Sequence, residues 1–114
     1  MKLVKLINAA TAITKIIQSS DLPTSYVWDI LNFAEQARIE SEKFEMLRQQ
    51  VIKNNTKEID GEEVIEVAGY NSELDELFNK EIDLDCSVLD LEEIKKVQGL
   101  SVSEVLAIKE LILE

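Results

Sequence analysis

The sequence predicts a mainly helical α+β domain: an N-terminal antiparallel helix pair with one long helix, a small β-hairpin or three-stranded sheet, and short C-terminal helices. Three observations carry this. No glycine or proline interrupts the chain between Pro23 and Asn54-Asn55, room for one helix of about 30 residues and ~45 Å. Asp60-Gly61 lies between Lys57 and Val67 in a stretch with β-branched residues beyond it, a strong two-residue hairpin signal. Asp90, Gly99 and the run Ser101-Val102-Ser103-Glu104 are start and stop signals for two further short helices.

Taken in order, residues 3–18 place Leu3, Leu6, Ile7, Ala10, Ile13 and Ile17 on one helical face, with Lys2, Lys5, Asn8, Thr11 and Lys15 largely off it. The break at residues 19–23 is short, so this helix should fold back antiparallel along the first half of the next. Ser19, Ser20 and Asp21 offer caps for the long helix, and Pro23 suits its first turn. In residues 23–53, Tyr26, Ile30, Phe33, Ala37, Phe44, Leu47 and Val51 recur at steps of three and four with Glu40 as the gap, giving one apolar seam. Trp28 beside Val27, Leu31 and Pro23 reads as a core residue at the helix joint, the other reading being an anchor in a partner's pocket. After the hairpin, Ala68-Gly69-Tyr70 should leave the strand. Ser72 should then cap a two-turn helix over residues 73–80 with Leu74, Leu77 and Phe78 inward. Residues 81–86 alternate charged and apolar side chains, which predicts a third strand. A helix over residues 91–97 and a docked last helix to residue 113 complete the chain. Residues 1–114 form a single domain, with residues 1–55 as a helical hairpin and residues 56–114 as the acidic part with the β-hairpin and short helices.

Composition narrows the chemistry. The chain has no His and one Cys; it therefore lacks the usual near-neutral proton shuttle and cannot form an internal disulfide, which fits a reducing compartment. The first residues are interrupted by Asn8, Thr11, Thr14 and Lys15, unlike the apolar core of a signal peptide. The net charge of −11 is one-sided: through Lys57 the chain carries eight Lys and Arg against six Asp and Glu, and from Glu58 onward four against seventeen. Such a half repels nucleic acid and anionic membrane, and charge would steer it toward a basic partner.

Paired carboxylates at Glu62 and Glu63, Asp75 and Glu76, or Asp83 and Asp85 could in principle do acid–base chemistry, but the reading preferred for each is a solvated face. Asp83, Asp85 and Ser87 match the start of a calcium loop, yet Val88 stands where its glycine is needed and Ile94 where its bidentate Glu should be. Cys86 has no base in an acidic neighbourhood and reads as a structural thiol. The three glycines, Gly61, Gly69 and Gly99, read as turn or cap residues. The expectation is therefore no catalytic residue, no cofactor and no metal. Partner contacts should fall on Phe44, Leu47 and Val51, unless C-terminal segments cover them, and on the acidic residues Glu62, Glu63, Glu66, Asp83 and Asp85.

Four stretches resemble a family of small proteins of phages and prophages of Gram-positive bacteria, the domain of unknown function DUF1617. Leu3-Val4-Lys5-Leu6-Ile7-Asn8-Ala9-Ala10 is similar to its opening helix, and Leu22-Pro23-Thr24-Ser25-Tyr26 to its link into a long charged helix. Residues 70–84, from Tyr70-Asn71-Ser72-Glu73 to Ile82-Asp83-Leu84, resemble its helix followed by an alternating segment, and Leu100-Ser101-Val102-Ser103-Glu104-Val105-Leu106 its closing capped helix. The resemblance implies an origin rather than a reaction. It suggests a non-enzymatic protein of the bacterial host's cytoplasm or of the virion, contacting itself, a virion protein or a host protein as a minor structural or assembly component. The alternative is an acidic inhibitor of a basic nucleic-acid-binding surface on a host defence or replication protein. Neither reading involves direct nucleic-acid or membrane binding.

Overall fold

The computed structural model describes residues 1–113. The elements run α1 (Leu3–Ile17), α2 (Thr24–Asn54), β1 (Thr56–Ile59), β2 (Glu62–Ile65), α3 (Val67–Phe78), α4 (Leu91–Ile94) and α5 (Val102–Ile112), a mainly helical α+β arrangement with a two-stranded antiparallel sheet. The molecule measures 57 × 25 × 22 Å, with a radius of gyration of 17.1 Å; a compact domain of this length would have about 13 Å. The 31 residues of α2 set that length, because they extend ~46 Å at 1.5 Å per residue.

α1 is the inner helix. It packs against both α2 and α5 and touches α3. Leu6, Ala9, Ala12 and Ile16 are essentially sealed from solvent. The buried arc is broader than the expected face and turned from it: Ala9, Ala12 and Ile16 are inside, while Ile7, Ala10 and Ile17 are only half-buried. Two helical neighbours instead of one explain the rotation, and alanines let helix backbones approach closely. The chain holds α5 in place at Lys15, whose ammonium donates to the Gly99 carbonyl at 3.2 Å and to Glu104 Oε1 at 2.8 Å. Glu104 also closes the expected capping box, accepting from the Ser101 N–H while Ser101 Oγ accepts from its own.

Several local expectations are corrected. None of Ser19, Ser20 and Asp21 caps α2; Pro23 occupies the N-cap. Asp21 instead accepts from the Gln98 N–H at 2.9 Å, fastening the α1–α2 corner to the segment after α4. The hairpin forms as expected, with Ile59 paired to Glu62 and positive φ at Asp60 and Gly61, the signature of a type I′ turn. It leads directly into α3, so residues 68–70 are helical and Ser72 is not a cap. The reason is Asn55, a buried polar residue whose amide donates to Val51 O at 2.8 Å and whose carbonyl accepts from the Glu66 N–H at 2.7 Å. Gly69 is therefore not a turn residue: a Cβ there would stand 2.2 Å from Asn55 Oδ1.

Residues 81–86 do not form a third strand. Glu81, Asp83 and Asp85 are exposed and Ile82, Leu84 and Cys86 half-buried, as the alternation requires. The inward side chains rest on the helical core, and the hairpin lies at the far end of α2, out of reach. The pairing that does exist joins Lys2 to Glu81, with Leu3 N–H donating to Lys80 O and Ile82 N–H to Met1 O, each at 2.8 Å. α4 is shorter than expected, ending at Ile94 before a tight turn to Val97, and Asp90 caps it as expected. No helix among the described residues is long and apolar enough to cross a membrane.

Two outcomes follow. Gly→Ala inside a helix ordinarily stabilises by about 1 kcal/mol; Gly69→Ala should instead destabilise by about 1–3 kcal/mol through overpacking on Asn55, read from the urea midpoint. The ion pair with Lys15 and the capping bonds pull the Glu104 carboxyl down to about 2 from an ordinary 4.5. A depressed folded-state value means its stabilisation is complete above pH 4.5 and is lost as pH falls toward 2. Glu104→Gln should flatten that part of the pH–stability curve.

Candidate interaction surfaces

Where α1 and α2 run side by side they leave an open apolar groove of about 270 Å³, floored by Leu6, Ala10, Ile13 and Ile17 of α1 and by Leu31 and Ala34 of α2. It exists because α5 takes the other flank of α1, leaving Ala10 and Ile17 half-uncovered. Glu35 and Arg38 edge it. The Arg38 guanidinium is gripped by Glu35 and Glu42 on the same helix, which raises its affinity for its proton and holds the Glu35 carboxyl below the usual carboxylate range. The rim's one cation is thus engaged within α2, and the groove between the helices is mainly apolar.

Trp28 is not a core residue: 71% of it is exposed. Two residues before the buried Ile30, it points about 200° away from the seam. It stands one turn before Leu31, whose side chain lines the groove. Ile39 and Met46 follow on the same outer side, eleven and eighteen residues on, and are exposed as well. Its helical offset from the seam, legible in the sequence, outweighs its proximity to Val27 and Leu31. Tyr26, by contrast, turns inward, donating to Val88 O and accepting from the Asp90 N–H, and burial raises its phenol's pKa.

The residues expected to meet a partner divide into three groups. Phe44 and Val51 are buried within the chain: α3 folds back along the second half of α2 and stacks Phe78 on Phe44 with ring centres 5.4 Å apart. They present no surface to another molecule. Leu47 is half-exposed beside them, lining a shallow groove with Gln50, Glu73 and Leu77. Glu62, Glu63 and Glu66 are exposed on and after the hairpin, with Glu66 bound to Lys57 at 2.7 Å. Asp83 and Asp85 are exposed too, but Asp85 lies by Asn32 and Gln36 in the first half of α2, about 30 Å of helix from the hairpin. The fold does not bring these acids together.

Asp85 accepts from the Ser87 hydroxyl and from its N–H at 2.9 Å, which holds its carboxyl below the ordinary range; a general acid would need the opposite shift. Asp75 and Glu76 are exposed on α3. The Cys86 thiol is half-buried, 3.6 Å from the Leu84 carbonyl. Among the described residues no three or more His, Cys, Asp and Glu side chains gather in a group that could hold a metal ion.

The partition of the seam is open to measurement. Phe44→Ala should cost about 3–5 kcal/mol of stability, whereas Leu47→Ser should change the urea midpoint little. Equal effects would show that the second half of α2 is covered differently.

Set against known proteins, the chain matches no family model, no curated protein and no solved structure.

Proposed function

We propose that the protein works by protein–protein contact, without chemistry of its own, as a minor structural or assembly component of a phage particle. The observation that carries the contact reading is Trp28, the chain's one tryptophan, held out in solvent one helical turn before Leu31, which lines the α1–α2 groove. Tryptophan is the residue most enriched among interface anchors. An exposed indole one helical turn from a residue of an uncovered apolar channel is more than a lone surface hydrophobic. The phage setting rests on the resemblance of residues 3–10, 22–26, 70–84 and 100–106 to the DUF1617 family.

The reading as an acidic inhibitor calls for one continuous negative face. Glu62 and Glu63 at one end and Asp83 and Asp85 toward the other favour the assembly reading over it.

A single tryptophan makes the test direct. Molar mass by light scattering at low and moderate salt, with emission read in parallel, should show the wild type associating with itself or with proteins of purified particles. Its emission should move to the blue as Trp28 is covered. Trp28→Ala, whose side chain lies outside the core, should keep the fold and lose the association. A strictly monomeric protein absent from purified particles would overturn the proposal.

A further inference from the structure

We propose that the β1–β2 hairpin is a docking edge for a basic, extended segment of a partner protein, which adds to β2 as a third strand. The inference rests on the reading of this chain as an interaction module but concerns a second surface, about 39 Å along α2 from Trp28.

The hairpin is uncovered. Every residue from Lys57 to Val67 is exposed, including Ile59, Val64, Ile65 and Val67. The bond from Glu66 N–H to Asn55 O and the register of Lys57 with Val64 and Ile59 with Glu62 identify the hydrogen-bonded pairs. The intervening pairs, Glu58 with Glu63 and Thr56 with Ile65, therefore turn their N–H and C=O groups outward. At β1, Thr56 is half-buried against the end of α2, its hydroxyl bonded to Ile52 O. At β2, Glu63 and Ile65 are exposed and no bond among the described residues reaches their outer backbone groups. That free row of alternating donors and acceptors is what strand addition uses.

Charge selects the occupant. Glu58, Asp60, Glu62, Glu63 and Glu66 surround the hairpin's one cation, Lys57, itself engaged by Glu66. Glu58 and Glu63 stand directly opposite each other, a like-charge pair that weakens an isolated ladder. A second copy of this chain would set glutamates against glutamates along the new edge, so self-pairing is disfavoured. A strand with Lys or Arg on alternate positions relieves the repulsion while its intervening apolar residues cover Ile65 or Val64. Charges on an edge also guard against aggregation, but guarding does not need four exposed aliphatic side chains between them.

The probe is a short blocked peptide alternating lysine and valine, titrated into the full chain and followed by amide chemical shifts, with an acidic peptide of the same pattern as control. The basic peptide should shift the amides of Glu63 and Ile65, weaken with added salt, and leave Trp28 emission unchanged; the acidic one should not bind. Glu63→Pro removes an outward N–H without touching a hairpin bond, and should weaken binding about tenfold. Glu63→Gln, which removes only charge, should weaken it about threefold. Thermal melts of both variants matching the wild type would show that the hairpin persists. Failure of the basic peptide to bind, shifts spread over all acidic residues, or equal binding by Glu63→Pro would overturn the docking edge. Binding that instead shifts Trp28 emission would also overturn it, while leaving the interaction-module reading in place.

Discussion

A mismatch of lengths governs this structure. α2 is about 46 Å long and α1, at 15 residues, covers about 22 Å of it. An apolar seam left bare over the remaining half would expose Phe44 and Val51 to water at about 25 cal/mol per Å². The chain must therefore return along α2 from its far end, and the hairpin turn at Asp60-Gly61 followed at once by α3 does this. Asn55 makes the reversal compact: its buried side chain binds Val51 and its carbonyl binds Glu66, and the missing Cβ of Gly69 lets α3 close over it.

The other half of the molecule is organised around α1. Residues 79–113, which follow α3, wrap the first helix, pairing residues 80–82 with its N-terminal end and docking α5 along its flank through Lys15 and Glu104. One sector of α1 then remains without a neighbour. The α1–α2 groove is thus the sector of α1 that α2, α5 and α3 leave uncovered. It leaves an apolar channel lined by Leu31, one helical turn after Trp28.

The two exposed surfaces differ in character. The groove is apolar, and the one cation on its rim, Arg38, is engaged by glutamates of its own helix. The hairpin is acidic, with a free backbone edge. The two are separated by most of the length of α2, about 39 Å from Trp28 to its end.

Some of this was determined by the sequence itself. The bounds of α2, the two-residue turn with φ of 52° and 81° at Asp60 and Gly61, the Asp90 cap and the Ser101–Glu104 capping box depend on atoms a few residues apart, so local signals suffice. The alternation over residues 81–86 correctly marked which side chains turn inward, but not that they rest on helices instead of a sheet; period two reports one covered face, never what covers it. The rotated face of α1, the cover over Phe44 and Val51 and the role of Gly69 were decided only by tertiary structure. Each depends on a partner distant in sequence, and the ion pair of Lys15 with Glu104 spans a separation of 89 positions. Which flank of an amphipathic helix is covered is settled by the length and placement of the segments that return to it, and no local pattern encodes that.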